Sequence, residues 1–334
     1  MALKIYSDRS YVAPGAVHHC SLAPFWGPME DLPDIVSLGR FEGLLAHGRE
    51  FLELAAKPED ADVFIVPVTW NHYQRYHRED LGLVFGEAMR RYEKPIAIFA
   101  DCDRYQELPA FPRAVEFRTS LYRSALKANE FATPAWIGDL MARFCNGVLP
   151  LREKRAKAAI GFCGVPAPEI RYKALDVLAR SGRFTMNVIL RPHFFGGAMH
   201  WQPVNDVITP HWHGGDVARV REEFVRNMID SDYIVCARGG GNFSHRFYET
   251  LCFGRIPIFI DTDCVLPFHK TIDWKRYGIW IDESQVEALP EIVAAFHERI
   301  TPDEFVAMQR AGRALWEERL STAAFFRHFG EHFV

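Results

Sequence analysis

Residues 238–249 read Arg-Gly-Gly-Gly-Asn-Phe-Ser-His-Arg-Phe-Tyr-Glu. Three successive glycines allow backbone shapes that other residues resist and a close approach to a ligand. Ser244 can cap a helix whose N-terminal N–H groups suit a phosphate. Arg246 in the first turn can add charge-assisted hydrogen bonds to a diphosphate. Glu249, one turn later on the same face, can accept hydrogen bonds from sugar or ribose hydroxyls. Gly240, Gly241, Asn242, Ser244, Arg246 and Glu249 form the candidate donor set, with Arg191 and Arg238 at the ends of neighbouring strands. The plain alternative is that the glycines only make a turn and Arg246 pairs with Glu249 on the helix surface.

Other residues suit acid–base or metal chemistry. Asp101-Cys-Asp103 and Asp261-Thr-Asp263 both follow apolar runs, and paired carboxylates at that spacing suit a hard divalent ion. The triplet is common by chance, so Arg246 ranks above a metal as the charge partner of a diphosphate, and no metal or other cofactor is expected to be required. A general base for an acceptor hydroxyl has candidates in Asp101, Asp103, His72, His18 and His19, with Asp101 leading. His193, His200, His211 and His213 crowd one region with Trp201 and Trp212, but their spacing fits no zinc motif. Sugar or acceptor contacts, or buried aromatics, are the readings left open there.

The elements that must position these residues follow from patterning. Tyr233 to Ala237 and Ile256 to Ile260 are apolar runs rich in β-formers, with a helix to about Phe253 between them and Gly254 as its stop. Strand, glycine loop, helix, strand is half of a nucleotide-binding α/β unit. Further strands are expected at Leu3 to Ser7, Ala61 to Val68, Pro95 to Ala100, Val115 to Thr119, Ala159 to Cys163 and Phe184 to Leu190. Helices are expected at about 38–56, 80–91, 168–180, 216–228, 284–299 and 302–320, with Thr301-Pro-Asp-Glu a strong helix start. The segments 11–33 and 191–215 read as long loops. Alternating strands and helices imply mostly parallel sheets.

The series Ser244, Arg246, Glu249, Leu251, Gly254, Ile256-Pro257, then Leu266-Pro267-Phe268 and Ile272-Asp273-Trp274 resembles the exostosin family of glycosyltransferases, family 47. The resemblance runs over about 155–300; before that, the strand 61–68 is also similar. It implies a GT-B fold, two Rossmann-like domains facing across a cleft. These are 1–150 for the acceptor, 151–320 for the nucleotide-sugar, and a segment 321–334 packing back on the first. It also implies an inverting enzyme of polysaccharide or glycoconjugate synthesis. The implied partners are a nucleotide-sugar donor, a UDP-sugar favoured, and a glycan or lipid-linked glycan acceptor. Homo- or hetero-dimers and peripheral membrane association are compatible with it. The rivals are a metal-dependent transferase using Asp101 and Asp103, and a non-catalytic binding partner on the same scaffold.

The whole chain bounds these readings. It has 334 residues, 49% hydrophobic and 25% charged, enough for two globular domains. A net charge of −4 gives no reason to expect nucleic acid as a partner. Seven scattered cysteines without a C-x-x-C read as reduced thiols. A strand starting almost at residue 1 and no apolar run of ~18 residues suggest a cytoplasmic, soluble and bacterial relative of the family.

Overall fold

The computed structural model describes residues 2–29, 38–193, 199–204, 207–212 and 216–333, with 199–204 and 207–212 as backbone only. The chain divides into two compact units. The first comprises Met1–Gly138, Val265–Phe268 and Arg319–Val334; the second comprises Asp139–Cys264 and His269–Glu318. The first division falls at Gly138/Asp139. Asp139 caps the helix Leu140–Phe144, and its two oxygens take a bidentate pair of hydrogen bonds from Arg313 at 2.8 and 2.7 Å. That pair ties the chain into the second unit from residue 139 onward.

The first unit has six parallel strands: β1 (Leu3–Tyr6), β2 (Leu52–Leu54), β3 (Val63–Ile65), β4 (Ile96–Ala100), β5 (Ala114–Arg118) and β6 (Glu130–Ala132). Their order is β2-β1-β3-β4-β5-β6. The central strands are apolar on both faces because helices cover both. Phe99 and Phe117 stack at 4.8 Å in this core, and Phe325 and Phe329 from the end of the chain pack on Phe117.

The second unit holds β7 (Ala159–Gly164), β8 (Thr185–Leu190), an antiparallel pair β9 (Met199–Val204) and β10 (Val207–Trp212), then β11 (Tyr233–Cys236), β12 (Ile256–Asp261) and β13 (Ile279–Asp282). Its parallel sheet has the order β13-β12-β11-β7-β8. Ile160, Phe162, Tyr233, Val235, Ile258 and Ile281 are among its buried core residues. The chain leaves β7 toward β8 on one side and later returns to β11 on the other. The order therefore reverses between β7 and β11, and open parallel sheets bind ligands in the crevice at the carboxyl ends of such a pair.

Three local expectations are corrected. The helix expected over 38–56 is only Glu42–His47; a tight turn at Gly48–Glu50 follows, and β2 then pairs with β1. Backbone pairing to a sheet edge outweighs a short stretch of helical spacing. A Cβ at Gly48 would lie 2.4 Å from Pro24 Cγ, so close packing there needs glycine. The polar strand β6 was missed because Glu130 is buried as a partner of Arg118, at 2.9 Å, and not by hydrophobicity. The histidine-rich region read as a loop contains the β9–β10 pair.

Candidate functional site

The helix His245–Cys252 starts from Ser244, which takes the N-cap position with φ −137° and ψ 113° but makes no side-chain cap bond. Its hydroxyl is buried and has no partner among the described residues. The glycine triplet is closed on itself by one backbone bond, Gly239 N–H to the carbonyl of Phe243 at 3.2 Å. The N–H groups of Gly240 and Gly241 donate to none of the described residues.

Arg246 does not pair with Glu249 on the helix surface. It crosses to the end of β7, where Nη2 donates to the carbonyl of Cys163. Its guanidinium lies over Phe162 at 4.5 Å and near Phe224 at 5.4 Å. Nη1 is buried with no partner among the described residues. A Cβ on Gly164 would come within 2.9 Å of Nη2, so glycine leaves room for this approach. Glu249 is half-buried, and its carboxylate has no hydrogen-bond partner among the described residues. Burial raises its pKa, against the charges of Arg246 and Arg221. At the switch point of the second sheet there is thus a cation with a spare donor, a spare hydroxyl, two free backbone N–H groups and a spare carboxylate.

Other expected residues have different duties. Arg191 pairs with Glu223 at 2.9 Å and donates to the carbonyl of Val220 at 3.1 Å, so its charge is spent on the helix Val217–Ile229. Asn242 is 0% exposed and accepts from the Thr262 hydroxyl at 2.6 Å, while its carbonyl accepts from the Cys264 thiol at 3.0 Å. It braces the glycine loop against the loop after β12. Arg238 is half-buried, and its carbonyl accepts from Arg171 at 2.9 Å. Arg171 is the residue that sequence reading missed. It belongs to no motif, and only the pairing of β7 with β11 brings it here.

Asp261 fills a structural role: Oδ1 accepts from the N–H of Cys264 at 3.0 Å and Oδ2 from the indole of Trp280 at 3.1 Å. Among the described residues no group of three or more His, Cys, Asp or Glu is placed to hold a metal. The side chains of His200, His211, His213, Trp201 and Trp212 lie outside the described residues.

In the first unit, Asp101 directly follows β4. Oδ1 accepts from the Thr119 hydroxyl and Oδ2 from the Trp136 indole, both at 3.2 Å, and its N–H donates to Asn71 Oδ1 at 3.0 Å. Burial raises its pKa, opposed by those two donors and by Arg40. A fixed carboxylate with a raised pKa suits a general base. His19 does not: it is 1% exposed, stacked on Phe99 at 3.7 Å, with Nδ1 on the Ser21 hydroxyl at 2.8 Å. Burial lowers its pKa to about 3, and that of His72 to about 4, so both rings are neutral at pH 7. Asp103 is exposed.

Comparisons with known proteins bear on the family of the second unit. Residues 194–296 match the model of the Exostosin GT47 domain. The chain is 33% identical to Exostosin-1 of Drosophila melanogaster over 97 residues, 29% of this chain and 12% of that protein. It is 32% identical to a probable β-1,4-xylosyltransferase of Arabidopsis thaliana over 108 residues, 32% of this chain and 23% of that one. A probable glycosyltransferase of the same plant matches at 27% over 263 residues, 76% of this chain and 48% of that one. The chain thus spans less than half the length of these relatives. Among solved structures, a GtfA/B complex bound to UDP and GlcNAc aligns with 92% of this chain and 62% of its own at 10% identity and a TM-score of 0.34. No helix among the described residues is long and apolar enough to cross a membrane. Residues 194–296, a part of the second unit, are thus similar to the Exostosin GT47 domain.

Proposed function

We propose that the protein is an inverting glycosyltransferase that moves a sugar from a nucleoside-diphosphate donor to a hydroxyl of a glycan acceptor. The observation that carries this reading is that Nη1 of Arg246 and the Ser244 hydroxyl, both in the exostosin-matched stretch, are buried with no partner among the described residues. A buried guanidinium donor without an acceptor costs free energy unless a ligand supplies one. A diphosphate supplies several. Glu249 would take the ribose or sugar hydroxyls, and the N–H groups of Gly240 and Gly241 the phosphate oxygens.

In the reaction, a base removes the proton of the acceptor hydroxyl as its oxygen attacks the anomeric carbon. The bond to the diphosphate breaks on the opposite face, and configuration inverts. Charge grows on the leaving oxygen, and preorganised donors facing it stabilise that charge more than they stabilise the bound donor. Arg246 is assigned that role and Asp101 the role of base.

The test is calorimetry with UDP, GDP, ADP and CMP, each with and without Mg²⁺, on wild type and Arg246→Ala. One diphosphate should bind without metal, and the variant should lose it by on the order of a hundredfold, as for a lost charge-assisted bond. Binding that requires metal and ignores Arg246 would favour the Asp101/Asp103 transferase instead. Donor binding with no transfer to any acceptor would favour the non-catalytic partner.

A further inference from the structure

Arg171 stands in the first turn of the helix Glu169–Arg180, just after β7. Its Nη1 donates to the carbonyl of Val165 at 3.0 Å, in the loop that leaves β7. Its Nη2 donates to the carbonyls of Ala237 at 3.1 Å and Arg238 at 2.9 Å, where the chain leaves β11. One guanidinium therefore bridges the two loops at the point where strand order reverses. A Cβ on Gly239 would lie 3.6 Å from Nη2, so the first glycine of the triplet rests against it. The carbonyls it holds are those of the two residues immediately before the triplet. Their placement sets the direction from which the N–H groups of Gly240 and Gly241 emerge. The triplet's own backbone closure, Gly239 to Phe243, is a single bond at 3.2 Å.

Charge points the same way. Arg171 and Arg246 share the ring of Phe162, at 5.7 and 4.5 Å. Burial and the charge of Arg246 bring the pKa of Arg171 down to about 10, which leaves it protonated at neutral pH. The carboxylate beside Arg246 is Glu249, whose own ionisation burial opposes. Two cations on one aromatic ring make a positive field that an anion relieves.

We propose that Arg171 is a positioning residue for the diphosphate. It holds the glycine triplet in its receiving shape and adds positive field without bonding to the phosphates. This rests on the donor-site reading above. Lysine cannot replace it, because one ammonium at a point cannot repeat a planar fork spanning three carbonyls.

Arg171→Lys and Arg171→Met test the proposal, with two readouts. The first is amide hydrogen exchange of residues 237–243 in the ligand-free protein. Exchange of Gly239, whose N–H closes the loop on Phe243, should quicken by about tenfold or more in both variants, with the helix Pro302–Leu315 unchanged. Unaltered exchange over 237–243 overturns the proposal without any ligand. The second is the affinity for UDP, GDP and ADP, each against its bare nucleoside. The diphosphate that wild type binds should weaken on the order of tenfold or more while its nucleoside is unaffected. Equal weakening of both, or a lower Tm with uniformly faster exchange, marks a purely structural role and overturns it. If wild type binds no diphosphate and Arg246→Ala changes nothing, the donor-site reading has failed and the positioning role falls with it. Quickened exchange would then leave Arg171 as a loop clamp alone.

Discussion

Arg246 and Glu249 sit three positions apart on one helix, yet they do not pair with each other. Arg246 turns to the end of β7 and Glu249 keeps its carboxylate free of hydrogen bonds among the described residues. If Glu249 holds ribose hydroxyls, wild type should prefer the ribonucleotide over its 2′-deoxy analogue, and Glu249→Ala should erase the preference by losing roughly tenfold on the ribonucleotide alone. Paired titrations of both nucleotides on both proteins decide this; a preference that survives in the variant removes Glu249 from the ribose. His19 allows a second prediction. Its ring is buried and neutral, with a pKa of about 3 against 6.5 when unfolded. Between those values the unfolded chain binds a proton that the folded chain does not. Stability is therefore complete above pH 6.5 and falls as pH falls, by on the order of 2 kcal/mol from pH 6.5 to 5. Urea unfolding at pH 7.5 and 5 should show the loss, and His19→Asn should reduce the slope, leaving the share of His72, even if it lowers stability overall. Asp101 has the opposite sign in stability, because its raised pKa makes ionisation costly in the fold. As a base, however, it needs the ionised form. The rate should fall as pH falls through a value above the usual carboxylate range, a limb that Asp101→Asn abolishes together with activity.

The element around which the site forms is strand, glycine loop, helix and strand, and its patterning was plain. Apolar runs end in glycines, and the helix stops at Gly254, which adopts φ +60°. A Cβ there would lie 2.8 Å from Leu149 Cδ1 and 2.9 Å from the carbonyl oxygen of Gln309. A backbone oxygen cannot step aside as a side chain can. Gly254→Ala should cost about 1–3 kcal/mol, seen as a drop in Tm, with the nucleotide site itself unaltered. Elements stabilised by tertiary partners were harder to read. The strand β2 lies where helical spacing pointed to a helix, because its hydrogen bonds come from β1. The strand β6 carries a buried glutamate because Arg118 waits for it.

On the scale of the whole molecule, the first unit is discontinuous in sequence. Residues Arg319–Val334 belong to it although they follow the second unit in the chain. Phe325, Phe326 and Phe329 are at most 1% exposed there. Deleting 319–334 strips several large side chains from that core, at about 3–5 kcal/mol for each. The first unit should lose its cooperative unfolding transition while the second keeps its own. Calorimetry of the truncated chain checks this; two intact transitions would contradict the division. The second unit also closes on a bidentate pair, Arg313 with Asp139, with Arg313 8% exposed. Arg313→Met, which leaves a carboxylate that is 35% exposed, should destabilise that unit by about 1–2 kcal/mol.

By itself the sequence determined the alternation of strands and helices, the glycine loop with Ser244, Arg246 and Glu249, and the exostosin resemblance. Those features are local: period, turn chemistry and residue order are all written within some forty positions. Only the tertiary structure decided which charges are spent and which are spare. Arg191 is paired with Glu223, and the Asn242 amide oxygen accepts from Thr262, contacts that no spacing shows. Arg171 looked like an ordinary helix residue until β11 arrived beside β7. A hydrogen bond between residues 66 positions apart, such as Arg171 to Ala237, leaves no trace in spacing. It exists because a parallel sheet brings the ends of distant strands to one edge, where the site lies.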